Sequence, residues 1–210
     1  MKTFSKKWWL LFVLLAFQSI TSVLIAWHYG FTKEAYRASI TFTMRYCTVL
    51  FSLAYMARGL HVIFKTGVTR FLLANRKTMG IAFTYSFIFH LCELAFLHST
   101  ITMSPVMYGI QLIPIAFINL MGITSLLVVE KSMSRKLWKT IHTWGSIIIW
   151  IALFKNYILI FFIPSLLGDR SIFYLGSFLV GITPFVRLYL IYRKRHLHTI
   201  VHKQLSASHS

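Results

Sequence analysis

The chain has 210 residues, of which 57% are hydrophobic and 17% aromatic, and its mean hydropathy is +0.69. Only 12% of the residues are charged, which is not the composition of a soluble globular domain. The formal net charge is +18, but the cations lie between apolar segments and do not form one patch. They therefore indicate contacts with anionic lipid headgroups, and nucleic-acid binding is not expected.

The first apolar segment follows three lysines, as in a secretory signal peptide, but it continues without a small-residue cleavage site. We therefore predict a retained membrane span from Trp8 to Trp27, with tryptophans at both interfaces. A helical crossing needs about 20 mostly apolar residues. Five more segments reach that length: Ile40–Phe64, Met79–Leu97, Met107–Val129, Leu137–Phe162 and Ile172–Tyr192.

The cations alternate from loop to loop along these six spans. Lysines precede span one, and Lys or Arg clusters lie between spans two and three, between spans four and five, and after span six. By the positive-inside rule, both termini are cytoplasmic. The sequence thus predicts an all-α membrane protein, a six-transmembrane-helix bundle forming a single domain over residues 1–210, with a basic cytoplasmic tail at 193–210.

Several ionisable residues fall inside the predicted spans, where a charge costs about 2.5 to 3.5 kcal/mol at the bilayer centre and usually has a partner or a function. Arg76 and His90 are 14 positions apart in span three, which places them within about 40° of one helix face and about 21 Å apart along the axis. His142 lies near the start of span five, which runs in the same direction. The two spans can therefore face each other, with one imidazole from each ligating a haem iron in the cleft between them.

Structural explanations remain open for all of these polar residues. A membrane histidine often hydrogen-bonds a neighbouring backbone carbonyl. Arg58 and His61 lie near the cytoplasmic end of span two and can extend to the interface. Cys47 and Cys92 form no CxxC pair and are interpreted as packed thiols. The histidines of the tail lack the carboxylate or cysteine that would support a metal site.

The stretch RKTMGIAFTYSFIFH, residues 76 to 90, resembles the third span of the ferric-reductase-like transmembrane family, in particular its bacterial branch MsrQ, also called YedZ. The basic pair, Gly80 and His90 fit the spacing of that branch. TFTMRYC, LMGITS and LWKTIHTW are similar to segments of its second, fourth and fifth spans. The resemblance covers about residues 30–165.

The resemblance implies a six-helix domain that binds one or two haem b groups and passes electrons across the membrane. It implies that His90 is an outer haem ligand, that His142 is an inner one, and that Arg76 contacts a haem propionate. Quinol or a flavin reductase would donate electrons to it, and a periplasmic partner that repairs oxidised methionine would receive them. The implied location is the bacterial inner (plasma) membrane.

One position departs from the family pattern. The family has a second histidine in span five, about 13 residues after the first, where this chain has Lys155. Lys155 could ligate iron when deprotonated, His90 could bind iron alone, or the outer haem could be absent. In the last case Glu93, one turn beyond His90, would pair with Lys155. We favour the last two possibilities over lysine ligation.

Two functions therefore remain open from the sequence. The first is a b-type haem protein, the electron-transfer subunit of an oxidoreductase that works with separate redox partner proteins. No GxGxxG or GxxxxGK[ST] motif occurs, so the chain carries no nucleotide-binding domain of its own. The second is a six-span scaffold that has lost haem and acts as a membrane interaction subunit or small carrier.

Overall fold

The structure, a computed structural model, describes residues 5–98, 105–126, 132–162 and 171–207. Within those ranges it contains seven α-helices and no strand. The loops predicted around residues 99–104 and 163–170 lie outside the described residues. The helices are α1 (Ser5–Tyr29), α2 (Lys33–Phe64), α3 (Gly67–Ala74), α4 (Arg76–His98), α5 (Pro105–Ser125), α6 (Arg135–Phe162) and α7 (Ser171–Ala207).

The all-α prediction is confirmed for the described residues, and four of their helices contain candidate membrane spans. Among the described residues, four segments are long and apolar enough to cross a bilayer, and one shorter apolar segment comes from α5, Leu112–Ser125. The count of six crossings and the cytoplasmic placement of both termini stay predictions. The four segments are Trp8–Tyr29, Lys33–Phe64, Arg76–Ala95 and Arg135–Tyr157.

The turn between α1 and α2 is short and is built by two residues with distinct roles. Gly30 has a positive φ of 69°, which costs glycine little because it has no Cβ. Thr32 then caps α2, since its hydroxyl accepts a hydrogen bond from the backbone N–H of Ala35 at 3.3 Å. The two helices consequently run antiparallel.

The short helix α3 was not predicted from the sequence. Thr66 caps it by accepting from the N–H of Thr69, and it ends at Asn75, just before α4 begins. Its eight residues are too few to show an amphipathic period clearly. Helix α3 lies where the apolar pattern alone indicates a loop between spans two and three.

Helix α2 is the centre of the fold and packs against α1, α3, α4 and α7. Small side chains on α2 let its neighbours approach closely, as is usual in membrane bundles. A Cβ added at Gly59 would overlap Cγ1 of Val186 on α7. Three of these small side chains are almost fully buried, namely Thr43, Cys47 and Thr48.

Hydrogen bonds between helices fix their relative register. Gln18 of α1 donates to the carbonyl of Ser86 on α4 at 3.3 Å, and Tyr46 of α2 donates to the carbonyl of Leu14 at 2.7 Å. Trp150 of α6 donates to the carbonyl of Val180 on α7 at 2.9 Å. Such contacts satisfy polar groups that have no water partner in a bilayer.

One side of α1 is covered by none of the other helices that the structure describes. Large apolar side chains cover this side, and Trp27 at its end is 87% exposed. In a bilayer such a face contacts lipid chains, and the tryptophans at the helix ends fit the interfacial positions that the sequence predicts. Other exposed apolar residues on α1 are Phe12, Phe17, Ile20, Val23 and Leu24.

Candidate functional site

His90 lies inside the bundle, where α4 packs against α2. Its side chain is only 6% exposed, and its ring lies 5.9 Å from the ring of Phe87. The Nδ1 atom is 2.9 Å from the hydroxyl of Thr43 on α2. The histidine that the sequence selects is therefore buried, and a hydroxyl of α2 contacts its ring.

The neighbours of Thr43 determine which nitrogen of His90 carries the proton. The Thr43 hydroxyl lies 2.8 Å from Oε2 of Glu93 and 3.1 Å from the carbonyl of Ile40. The carbonyl of Ile40 can only accept a hydrogen bond, and the same holds for the carboxylate when Glu93 is ionised. The single hydroxyl hydrogen of Thr43 therefore points to one of these two oxygens. Nδ1–H of His90 is then the donor to Thr43, and Nε2 keeps its lone pair.

Glu93 is the centre of a hydroxyl cluster at the end of the bundle that carries the α1–α2 turn. Its Oε1 accepts a short hydrogen bond from Ser39 of α2 and a longer one, 3.4 Å, from Ser22 of α1. Ser39 Oγ also lies 3.1 Å from Ser22 Oγ. Together with the Thr43 bond to Oε2, side chains from α1 and α2 surround both carboxylate oxygens of a residue on α4.

A cavity of about 90 Å³ opens beside this cluster. Residues of α1, of the α1–α2 turn, of α2 and of α4 line it, namely Ser22, Ala26, Phe31, Ala35, Tyr36, Ser39 and Glu93. Glu93 therefore borders a cavity that lies between α1 and α2.

His142 lies on α6 and contacts α5, in surroundings different from those of His90. Its ring stacks on Trp138 at 4.1 Å, and its Nε2 is 3.2 Å from the hydroxyl of Thr124. That hydroxyl is buried and donates to the carbonyl of Leu120 at 2.8 Å, so Nε2–H of His142 is the donor to Thr124. The nitrogen that usually faces a haem iron is thus engaged by α5.

The two histidines lie at different levels of the bundle. Thr124 is two residues beyond Gly122, where an added Cβ would overlap Thr84 of α4, so His142 is near the level of Thr84. His90 is six residues further along α4, about 9 Å at the rise of a helix. His90 contacts Thr43 and His142 contacts Thr124, at two different heights in the bundle. This arrangement does not fit the coordination of one iron by both rings.

One hydrophobic cluster connects α4, α5 and α6. Phe83, Ile118 and Ile149 belong to it and are each at most 5% exposed. The open cleft between spans three and five that the sequence predicts is not seen at these residues. A macrocycle between α4 and α6 would displace part of this cluster.

The remaining predicted site residues are not brought to His90. Arg76 is the first residue of α4, and its exposed side chain has the guanidinium groups of Arg58 and Arg187 as electrostatic neighbours. Lys155 is exposed on α6. The suggested pairing of Glu93 with Lys155 is not formed, because the Glu93 carboxylate is bound by the hydroxyls of α1 and α2.

No protein-family model, no curated protein and no solved structure matches the chain. The resemblance to the ferric-reductase-like family therefore remains a hypothesis. Among the described residues, no group of three or more His, Cys, Asp and Glu side chains is arranged to hold a metal ion. The candidate site is consequently defined by His90, Glu93 and their hydroxyl partners.

The hydroxyl residues of this site were not identified from the sequence. Ser39, Thr43 and Cys47 are spaced four residues apart on α2, a repeat that places small, mostly polar side chains on one helix face. Gln18 and Ser22 show the same spacing on α1. This spacing of small polar residues within apolar spans could have indicated the site, since such residues commonly lie between membrane helices.

Proposed function

We propose that this chain is a membrane electron-transfer protein that binds b-type haem through His90. The observation that carries the proposal is the Thr43 hydrogen bond, which holds Nδ1 of a buried imidazole and leaves Nε2 as its ligating atom. A hydrogen bond on the second nitrogen is what orients metal-binding histidines in proteins. Haem iron, when bound, supplies the one-electron chemistry.

The residues around His90 fit this role better than those around His142. Glu93 accepts from Thr43, so the hydroxyl is directed away from the ring and can accept from it. Nε2 of His142 contacts Thr124, and this bond would have to be exchanged before ligation. Arg76, beside Arg58 and Arg187, lies about 21 Å from His90 along α4, so its positive charge would serve a propionate of an inner haem and not of a haem held by His90.

The donors and acceptors of electrons would be separate molecules. The sequence carries no nucleotide-binding motif, so quinol in the bilayer or a flavin protein would supply electrons. Redox partner proteins, among them one that repairs oxidised methionine, follow from the family resemblance alone. The location in a bacterial inner membrane rests on the same resemblance.

A second candidate function is a scaffold without haem, acting as a membrane interaction subunit or small carrier. Three observations favour it. Lys155 stands where the family has a histidine, and Nε2 of His142 is already hydrogen-bonded. The packed cluster between α4 and α6 points the same way. The two candidates differ in one measurable property, the haem content of the folded protein.

The test is a reduced-minus-oxidised absorption spectrum of purified protein expressed with ample haem. We expect a b-type spectrum in the wild type that is lost in His90→Ala and weakened in His142→Ala. His61→Ala is the matched control, because His61 is also a membrane histidine whose Nδ1 contacts a threonine, Thr69, at 3.2 Å. A folded wild type without haem would refute the electron-transfer proposal and favour the scaffold.

A further inference from the structure

The oxygen atoms around Glu93 form a cluster with the chemistry of a cation site. Oε1 of Glu93 and the hydroxyls of Ser22 and Ser39 lie within contact distance of one another. Thr43 adds a fourth oxygen beside Oε2. All of these ligand atoms are hard oxygen donors, which suit alkali and alkaline-earth cations and not the transition metals that prefer nitrogen or sulfur.

The spacing of these oxygens suits an ion of moderate size. An ion with metal–oxygen distances of about 2.3 to 2.6 Å requires neighbouring ligands at right angles to be roughly 3.3 to 3.7 Å apart. Ser22 Oγ lies 3.4 Å from Glu93 Oε1 and 3.1 Å from Ser39 Oγ. Ser39 Oγ and Glu93 Oε1 are in direct hydrogen-bond contact, so binding an ion of the size of Na⁺ requires these two oxygens to separate and the Ser39 hydroxyl hydrogen to turn away.

Charge favours a monovalent ion. An ionised carboxylate in an apolar environment is costly unless it is compensated, and among the described residues Glu93 forms no ion pair. The cluster supplies one negative charge, which neutralises Na⁺ and leaves a divalent ion half compensated. The overall charge of +18 also disfavours further positive charge in the chain.

The cavity provides both access and water ligands. Its volume of about 90 Å³ exceeds the roughly 10 to 15 Å³ that one water molecule requires. It lies between α1 and α2, and Ser22, Ser39 and Glu93 are among its lining residues. An ion can therefore reach the carboxylate from one end of the bundle and keep water molecules on its exposed side.

We propose that Glu93, Ser22 and Ser39 bind a monovalent metal cation of the size of Na⁺, which enters through the cavity between α1 and α2. The site holds α1, α2 and α4 together at the end of the bundle near the α1–α2 turn. Because the ion ligands are oxygens and do not include His90, the proposal does not depend on haem. It adds an ion-binding activity to the chain whether or not electrons pass through it.

The experiment measures thermal unfolding of the purified, detergent-solubilised full chain while choline chloride is replaced by NaCl at constant ionic strength. A ligand that binds the folded state raises its stability in a saturable way. We expect the melting temperature of the wild type to rise by a few degrees along such a curve. Glu34→Gln, which removes an exposed carboxylate at the start of α2, should give the same curve.

Three variants test the assignment of the ligands. Glu93→Gln should abolish the Na⁺-dependent rise, and Ser39→Ala should shift the midpoint of the curve to a roughly tenfold higher Na⁺ concentration, a factor that corresponds to about 1.4 kcal/mol. Ser22→Ala should shift it in the same direction. Equilibrium dialysis with ²²Na⁺ gives a second measurement, with about one ion expected per wild-type chain.

Three results would overturn the proposal. The first is a wild type that responds equally to NaCl and choline chloride and retains no ²²Na⁺. The second is a Na⁺ response that persists unchanged in folded Glu93→Gln. A melting temperature that depends on pH and not on Na⁺ would show that Glu93 binds only a proton, which would also refute the metal site.

Discussion

Three glycines in the helices provide a graded test of the packing. An added Cβ at Gly59 would overlap Cγ1 of Val186, whereas at Gly145 it would meet Sδ of Met121, and at Gly181 nothing lies within 4 Å. Val186 is β-branched, and in a helix it has one strongly preferred rotamer, so it cannot turn away. The unbranched Met121 can rearrange.

These contacts give an order of stability for the three alanine variants. Replacing glycine by alanine inside a helix gains about 0.5 to 1 kcal/mol, and this gain should appear in full at Gly181. Overpacking costs about 1 to 3 kcal/mol. We therefore expect Gly59→Ala to lower stability by about 0 to 2.5 kcal/mol after the helix gain, with Gly145→Ala between the two.

The assay is unfolding of each variant in the same detergent, followed by circular dichroism and by tryptophan fluorescence. The reasoning requires Gly59→Ala to be the least stable of the three and Gly181→Ala the most stable. If Gly59→Ala were as stable as Gly181→Ala, the close contact between α2 and α7 would be refuted, and with it the central position of α2.

Three further substitutions test single contacts. Thr43→Val should destabilise the protein by about 1 to 3 kcal/mol, because it leaves His90 and Glu93 without their shared partner. Thr41→Val is the control: it removes only a bond to the carbonyl of Arg37 and should cost less in the same unfolding assay. Tyr157→Phe removes the bond to Thr48 on α2 and should cost about 0.5 to 1.5 kcal/mol; an unchanged melting temperature would argue against that link between α6 and α2. Since Lys155 is exposed on α6, Lys155→His alone should leave haem content unchanged, and a clear gain in the b-type absorption would show that this position faces a haem.

The helical architecture could be read largely from hydropathy, because apolar segments of bilayer length leave few alternatives. The predicted end at Phe64 agrees with the end of α2. The start of α2 was placed too late, at Ile40, since its first turns carry Lys33, Glu34 and Arg37 and continue the helix beyond the apolar segment. Hydropathy identifies the apolar part of a helix, so it does not identify helix turns that carry charged residues.

The candidate site was predictable only in part. His90 and Glu93 share one side of α4 because they are three residues apart, as helical geometry requires. Their partners could not be predicted in the same way, because the direction that this side faces depends on how α4 is rotated against its neighbours. The structure turns it toward Thr43 and Ser39 of α2, whereas the sequence analysis considered Lys155 of α6 as a partner of Glu93 if the outer haem is absent.

The central place of α2 has a consequence for biogenesis. Its partners α1, α3 and α4 come directly before and after it along the chain, so a unit with the Glu93 cluster inside it can assemble while synthesis continues. The contact between Gly59 and Val186 forms only after α7 has been synthesised. A chain truncated before residue 171 would lack this contact and leave the side of α2 that carries Gly59 without α7.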